Sequence, residues 1–400
     1  MIPHLDRPSS ISSAMGADCQ IRVRSAVVFL GISLLFLDAS PTVSLADNTP
    51  TTASAAGVQI TQLADRLRVE INGRLFTEYY FTNVPRPFYY PLIGPGEASM
   101  TRNWPMKSTS DEEHDHRHHR SLWFAHGLIN GHDFWSEATN SGRIVHTTFT
   151  EIKSGEMEGV IKSQDKWIAP YGTVVCTDER TLRIYNSTSI ELGGASKALP
   201  AGSPSPPLEE RGGERRPFNR GFTNSMAVVY NPDQAEERLF DFEITLHARE
   251  ADLTLGDTKE GTMAVRVAET MRLKGKVGQG HIVNSAGSRD AVAWGKRADW
   301  CDYYGPVDGK TVGIAIFDHP HNPHHPTWWQ VRDYGLFAAN PFGRHDFERL
   351  FSFFKTAGNL KVPAGRNVTF RYRFYLHQGD EQQAKVAKKY QEYTKSVAKP

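Results

Sequence analysis

Apolar and polar residues alternate with a period of two along much of this chain, the pattern of half-buried β-strands. Arg66-Leu67-Arg68-Val69-Glu70-Ile71 alternates, Asn72-Gly73 follows, and Arg74 to Phe81 returns. Asn-Gly between alternating runs is the strongest short hairpin signal. Arg143 to Lys153, Gly159 to Ile168 and Thr173 to Tyr185 are rich in Val, Ile, Thr and aromatics with turn residues between them, and Leu182, Ile184 and Ile190 keep the alternation. They predict an antiparallel meander. Strands resume at Leu239 to His247, at Leu253 and Leu255, at Met263 to Val267 and at Thr311 to Phe317. Leu360 to Gly365 turns into a long final strand, Val368 to His377. Helical spacing is confined to the end, where Asp380 caps a helix through about Ser396 with Ala384, Ala387, Tyr390 and Val397 near one face. The chain therefore reads as all-β: a large antiparallel β-sandwich over residues 58–400, a single domain, with one C-terminal helix. A chain of roughly 300 residues can bury about 75% of its surface.

Two regions break the pattern. Arg22 and Arg24 precede an apolar run from Ala26 to Leu37, and small residues follow at Ser44 and Ala46. A charged n-region, an h-region and a small-residue cleavage site make residues 1–46 a secretory signal peptide, with Met15 as an alternative start. The apolar run is too short for a comfortable transmembrane span, so the expectation is a secreted or periplasmic protein with no stable membrane insertion after cleavage. Residues 47–57 read as a flexible leader. Between Gly193 and Arg220 a Ser/Pro run and a charged run cannot bury enough surface to order themselves, and residues 193–220 read as a disordered loop insertion.

Export implies an oxidising compartment, where Cys176 and Cys301 either pair or stay as two buried thiols. Two cysteines are too few for a cysteine-based structural zinc site. Lys and Arg number 46 against 45 Asp and Glu, a net charge of +1, which offers no field for nucleic acid. Asn186-Ser187-Thr188 and Asn367-Val368-Thr369 match the glycosylation acceptor.

The chemistry concentrates between Tyr90 and Glu137. His114-Asp115-His116-Arg117-His118-His119-Arg120-Ser121-Leu122-Trp123-Phe124-Ala125-His126-Gly127 is framed by Thr101-Arg102-Asn103-Trp104-Pro105 and by Asp133-Phe134-Trp135-Ser136-Glu137. Charged side chains prefer exposure unless paired, yet here they alternate with indoles, the usual composition of a small-molecule pocket. Two like charges about 4 Å apart cost roughly 4 kcal/mol at an effective dielectric near 20. So the histidines stay neutral, or carboxylates pair with them, or an anion or metal sits among them. If extended, the segment puts His114, His116 and His118 on one face, and His116 with His118 could then chelate a divalent metal. The alternatives are a solvated loop and a carbohydrate or polyol site. A second His/Pro loop, Asp318 to Pro326, ends the Val312–Phe317 strand and leads into Trp328-Trp329. Two such loops suggest one shared pocket.

Pro91-Leu92-Ile93-Gly94-Pro95-Gly96, His116 to Gly127 and Asp133-Phe134-Trp135 resemble the signature of the PmoA-related family, secreted bacterial proteins of unknown function. The likeness covers Val58 to Asp380. That family usually has Pro where Arg117 stands, and the 193–220 insertion looks foreign to it. Its legacy label, a methane oxygenase subunit, does not suit this chain, because a membrane monooxygenase subunit needs several apolar spans of about 20 residues. The strand-rich pattern, the Asn/Arg/His-rich first half and the closing Val-Pro-Ala-Gly before a long strand are also similar to galactose-mutarotase-like β-supersandwiches. That resemblance implies a sugar-acting protein with a His general acid and a Glu general base. His116, His118, His126 or His319 would supply the first, with Glu137 or Glu348 as candidates for the second.

The expectation is an exported carbohydrate-active protein, an enzyme working on a sugar or glycan by His/carboxylate chemistry. Alternatives are a non-catalytic glycan-binding module, or a metal-dependent hydrolase or oxidoreductase built on the His cluster. Candidate catalytic residues are His116, His118, His126, His319 and Glu137. Candidate substrate-binding residues are Arg102, Asn103, His119, Arg120, Trp123, Asp133, Trp135, Trp328 and Arg344. Arg102 and Arg120 would hold hydroxyls or a carboxylate, and Trp123, Trp135 and Trp328 would stack on a ring.

Overall fold

The structure is a computed structural model that describes residues 56–186, 237–348, 350 and 353–397. The expected signal peptide, nearly all of the leader, and the 193–220 insertion lie outside the described residues.

Two eight-stranded sheets carry the fold, and every strand pairing in them is antiparallel. The first sheet runs β1 (Val58–Gln62), β2 (Arg66–Ile71), β3 (Arg74–Tyr80), β4 (Phe88–Leu92), β5 (Leu122–His126), β11 (Gly261–Arg266), β16 (Leu336–Asn340) and β15 (Trp328–Val331) in spatial order. The second runs β12 (His281–Asn284), β13 (Trp300–Val307), β14 (Lys310–Asp318), β18 (Asn367–Gln378), β9 (Arg238–His247), β8 (Val174–Tyr185), β7 (Glu158–Ile168) and β6 (Arg143–Lys153). Strands β10 (Leu253–Leu255) and β17 (Leu360–Val362) form a separate pair. The all-β sandwich expected from the alternation is the fold observed.

Local chemistry explains the elements. Asn72 and Gly73 both take positive φ, 52° and 75°, as the twist-matched two-residue hairpin turn requires, and Ile71 pairs with Arg74 across it. Along β9, Phe240, Phe242, Ile244 and Leu246 are buried in the core between the sheets while Asp241, Glu243, Thr245 and His247 are only partly buried. Strand β14 is apolar on both faces because both are covered. Val312, Ile314 and Ile316 enter the main core, and Ala315 and Phe317 pack under the C-terminal helix (Val386–Val397) and its Tyr393. Asp380 accepts from the backbone N–H of Gln382 and Gln383, and Gln383 accepts from the N–H of Asp380. This reciprocal cap closes a preceding turn; Lys385, at φ 53°, separates it from the helix, which starts later than the sequence suggests. No helix among the described residues is long and apolar enough to cross a membrane. Cys176 and Cys301 are both buried and unpaired, and burial pushes both thiols well above their ordinary value.

Candidate functional site

Strand parity places the site. Phe124 stacks toward Phe242 and Phe370 of the second sheet, so Trp123, one residue earlier, faces the outside of the first sheet. The His-rich segment folds over that outer face, and His119 stacks on Trp123 at 5.3 Å.

The segment is an irregular loop, not a strand, and buried charge holds its shape. Arg102 and Arg266, both fully buried, converge on one oxygen of Asp115; the Arg266 contact is 2.9 Å. Arg102 also donates to the backbone carbonyls of Glu113, Asp115 and His116. Glu112 accepts from the N–H groups of Asn103 and Trp104 and from the Asn103 amide, whose oxygen accepts from Tyr90. Burial opposes ionisation of Asp115. The hydrogen bond from His116 and the Arg266 and Arg102 charges outweigh it and hold the carboxyl well below the usual carboxylate range.

A second knot lies beside it. Arg120 grips Glu137 through two hydrogen bonds, 2.7 and 2.9 Å, with Arg86 at 3.8 Å and Arg117 at 3.7 Å. Burial works to raise the Glu137 carboxyl, but the Arg120 hydrogen bond and the surrounding guanidinium charges lower it. Glu137 is thus a charge anchor with both oxygens occupied. The expectation that it acts as a base is corrected, and so is the expectation that Arg102, Asn103 and Arg120 greet a ligand.

Between these knots a cavity of about 420 Å³ opens, lined by His116, His118, His119, Asp133, Trp135 and Ser136 with Gly127, Glu260 and Tyr334. This volume lies in the usual range for small-molecule sites, about 300–1,000 Å³. His116 bonds Asp115 through Nδ1 at 2.7 Å and stacks with both His119 at 4.8 Å and Tyr334 at 4.9 Å, which lie 6.3 Å from each other. Burial, then Arg86 and His116, push His118 down to about 4. Burial, then His118 and Arg266, hold His119 well below its ordinary value. Burial raises the Glu260 carboxyl, with Asp346 and Asp133 adding to the shift and Lys259 opposing it. Among the described residues the Glu260 carboxylate has no hydrogen-bond partner. Asp133, by contrast, is spent on its own turn, accepting from the N–H groups of Trp135 and Ser136 and from two serine hydroxyls. Among the described residues no lysine or arginine lines the cavity.

Several expected residues stand elsewhere. His126, two positions after Phe124, points into the inter-sheet core, fully buried against Phe342 at 4.5 Å, with Nε2 donating to the Gly256 carbonyl; burial pushes it down to about 4. Trp123 is buried behind His119 and does not line the cavity. Trp328 donates to Glu348 at 3.1 Å under the Arg297 guanidinium, and Arg344 pairs with the same Glu348.

The shared pocket is also corrected. Buried Asp318 organises the second loop, accepting from Asn322, His325 and the N–H of Thr327. This turns His319 to the outer face of the second sheet, into a different cavity of about 700 Å³ with Asp241, Glu243, Arg371 and Tyr393. The two histidine loops therefore lie on opposite outer faces of the sandwich. No three of the described His, Cys, Asp and Glu side chains are grouped so as to hold a metal ion, so the arrangement gives the His116–His118 metal site no third ligand. Sequence reasoning missed Glu260 and Tyr334, which reach the site only because β11 pairs with β5 and β16 with β11.

A family model described as "Family of unknown function (DUF6807)" matches residues 66–196 and 223–391. No curated protein matches. Among solved structures the chain is similar to an alpha-galactosidase from Lactobacillus brevis, with 7% identity, TM-score 0.35, and 81% of this chain and 39% of that one covered. It is also similar to a putative kojibiose phosphorylase from human microbiome, with 8% identity, TM-score 0.29, and 80% and 32% covered. The chain thus spans well under half the length of either.

Proposed function

The chain belongs to this family of unknown function (DUF6807), and from its cavity we propose that it is an exported carbohydrate-active enzyme doing acid–base chemistry on an uncharged sugar. The observation that carries the reading is the presence, in one cavity, of an Asp115-held His116 and a Glu260 carboxyl that burial raises above its ordinary value. His116 presents its free Nε2 as base. Glu260 donates or accepts the second proton, a role that suits a carboxyl raised by burial. Trp135 and Tyr334 supply apolar walls for a ring, and His118 and His119, kept neutral, supply hydrogen bonds. Two carboxylates, with no lysine or arginine in the lining among the described residues, disfavour an acidic sugar or a phosphate. Export is part of the same reading, supported by the arginine-flanked apolar run Ala26 to Leu37, as is kinship with the PmoA-related family, supported by the His116 to Gly127 signature.

The test is incubation of the purified protein with neutral reducing sugars in D2O, followed by proton NMR for anomer exchange and for loss of C–H signals. Accelerated exchange with at least one sugar, abolished in H116Q, is the expected result. Binding without any acceleration would replace the enzyme by a glycan-binding module, and neither binding nor exchange would end the sugar reading.

A further inference from the structure

The two stacked imidazoles over the cavity are anchored by the same ion pair, Asp115 with buried Arg266. Asp115 is ionised and can only accept, so Nδ1 of His116, at 2.7 Å from Asp115 Oδ2, carries the proton. Arginine has no acceptor, so Nδ1 of His119, at 3.3 Å from Arg266, must accept and its proton sits on Nε2. Arg266 itself bonds the other oxygen of Asp115 at 2.9 Å. One guanidinium therefore fixes both rings, and fixes them oppositely.

Direction follows from the shared anchor. The rings are nearly parallel, 12° apart with centroids at 4.8 Å, and both Nδ1 edges are tied to the Asp115–Arg266 pair. Both Nε2 atoms are thereby turned away from it, and neither has a protein partner among the described residues. His116 offers a lone pair and His119, beside it, an N–H.

We propose that His116 and His119 form a donor–acceptor pair of opposite tautomers, set by Arg266 through Asp115, that takes two oxygens on neighbouring carbons of an uncharged polyol. One hydroxyl donates to Nε2 of His116, and the adjacent oxygen accepts from Nε2–H of His119, each at about 2.8 Å. Arg266 is a positioning residue that never meets the ligand. This rests on the sugar reading of the cavity and names what the cavity grips: a vicinal diol or a hydroxy-carbonyl unit, not an isolated hydroxyl.

The test is long-range proton–nitrogen NMR on the full chain with ring-labelled histidine, at about pH 8, above the usual histidine value near 6.5. The expected result is the Nδ1–H form for His116 and the Nε2–H form for His119. D115N, whose amide donates to Nδ1, flips His116 to the Nε2–H form, and R266M leaves His119 a mixture. If R266M does not fold, D115N still decides. On the same sample cis-1,2-cyclohexanediol is expected to bind at least tenfold tighter than cyclohexanol. Identical tautomers in the unmutated protein, or equal binding of diol and mono-ol, would overturn the pair. Opposite tautomers with no sugar turnover would instead overturn the enzyme reading and leave the pair standing.

Discussion

Asp115 accepts from Nδ1 of His116 at 2.7 Å, while its other oxygen is held by two fully buried guanidiniums. The two guanidiniums lie below the surface, while the carboxylate and the imidazole both reach it, with 40% of the His116 side chain exposed. Replacing that imidazole therefore touches chemistry more than packing. H116Q is expected to lower kcat on a responsive sugar by about 10²–10⁴-fold, the usual contribution of a positioned acid or base. Stability should fall by no more than the value of one hydrogen bond to a charged group, about 1.5–3 kcal/mol. Parallel kinetics and urea unfolding check both.

Glu260 carries a pH signature. Its carboxyl is raised in the fold, so the folded protein binds more protons than the unfolded chain just above the ordinary carboxylate range. Stability from this group is present at low pH and is lost as pH rises through the folded value. E260Q should abolish activity and gain stability relative to the unmutated protein on going from acid to neutral pH. Urea midpoints measured across that range read the difference; parallel curves would mean that Glu260 is not strained.

Glu137 is expected to behave as an anchor. E137Q weakens the partner of buried Arg86 and half-buried Arg120, and breaking a buried ion pair costs about 3–5 kcal/mol. Thermal unfolding should move sharply downward. Unchanged stability with activity lost would return Glu137 to the role of base.

Acid should loosen the fold through its buried imidazoles. His126 and His118 are pushed down to about 4 by burial. Their contribution is complete above the unfolded value near 6.5 and is lost as pH falls toward 4. For fully buried His126 the loss is on the order of 3 kcal/mol. Urea midpoints should fall over that window, and less steeply in H126Q.

The sheets were legible because alternation is local: Phe240, Phe242, Ile244 and Leu246 announce an inward face without reference to any other strand. Strand β14 was legible as a strand, but its double burial depends on a helix some 70 residues later. Within the site, His116, His118, His119, Asp133 and Trp135 are close in sequence and could be read together. Glu260 and Tyr334 could not, since antiparallel pairing of β5, β11 and β16 delivers them from more than 120 residues away. His319 was misplaced because its loop has the same composition as the first, and composition does not say which face of a sandwich a loop covers. His126 was misplaced by parity, two residues on from a core phenylalanine, and Glu137 because Arg86, about fifty positions earlier, gives no sign of reaching it.

The most direct measurement is a titration of ring-labelled histidine resonances with neutral methyl glycosides of glucose, galactose and mannose. If the cavity over the first sheet takes sugar, the signals of His116, His118 and His119 move with at least one glycoside while that of His319, on the opposite face, stays fixed. Signals that move only at His319, or nowhere, would contradict it.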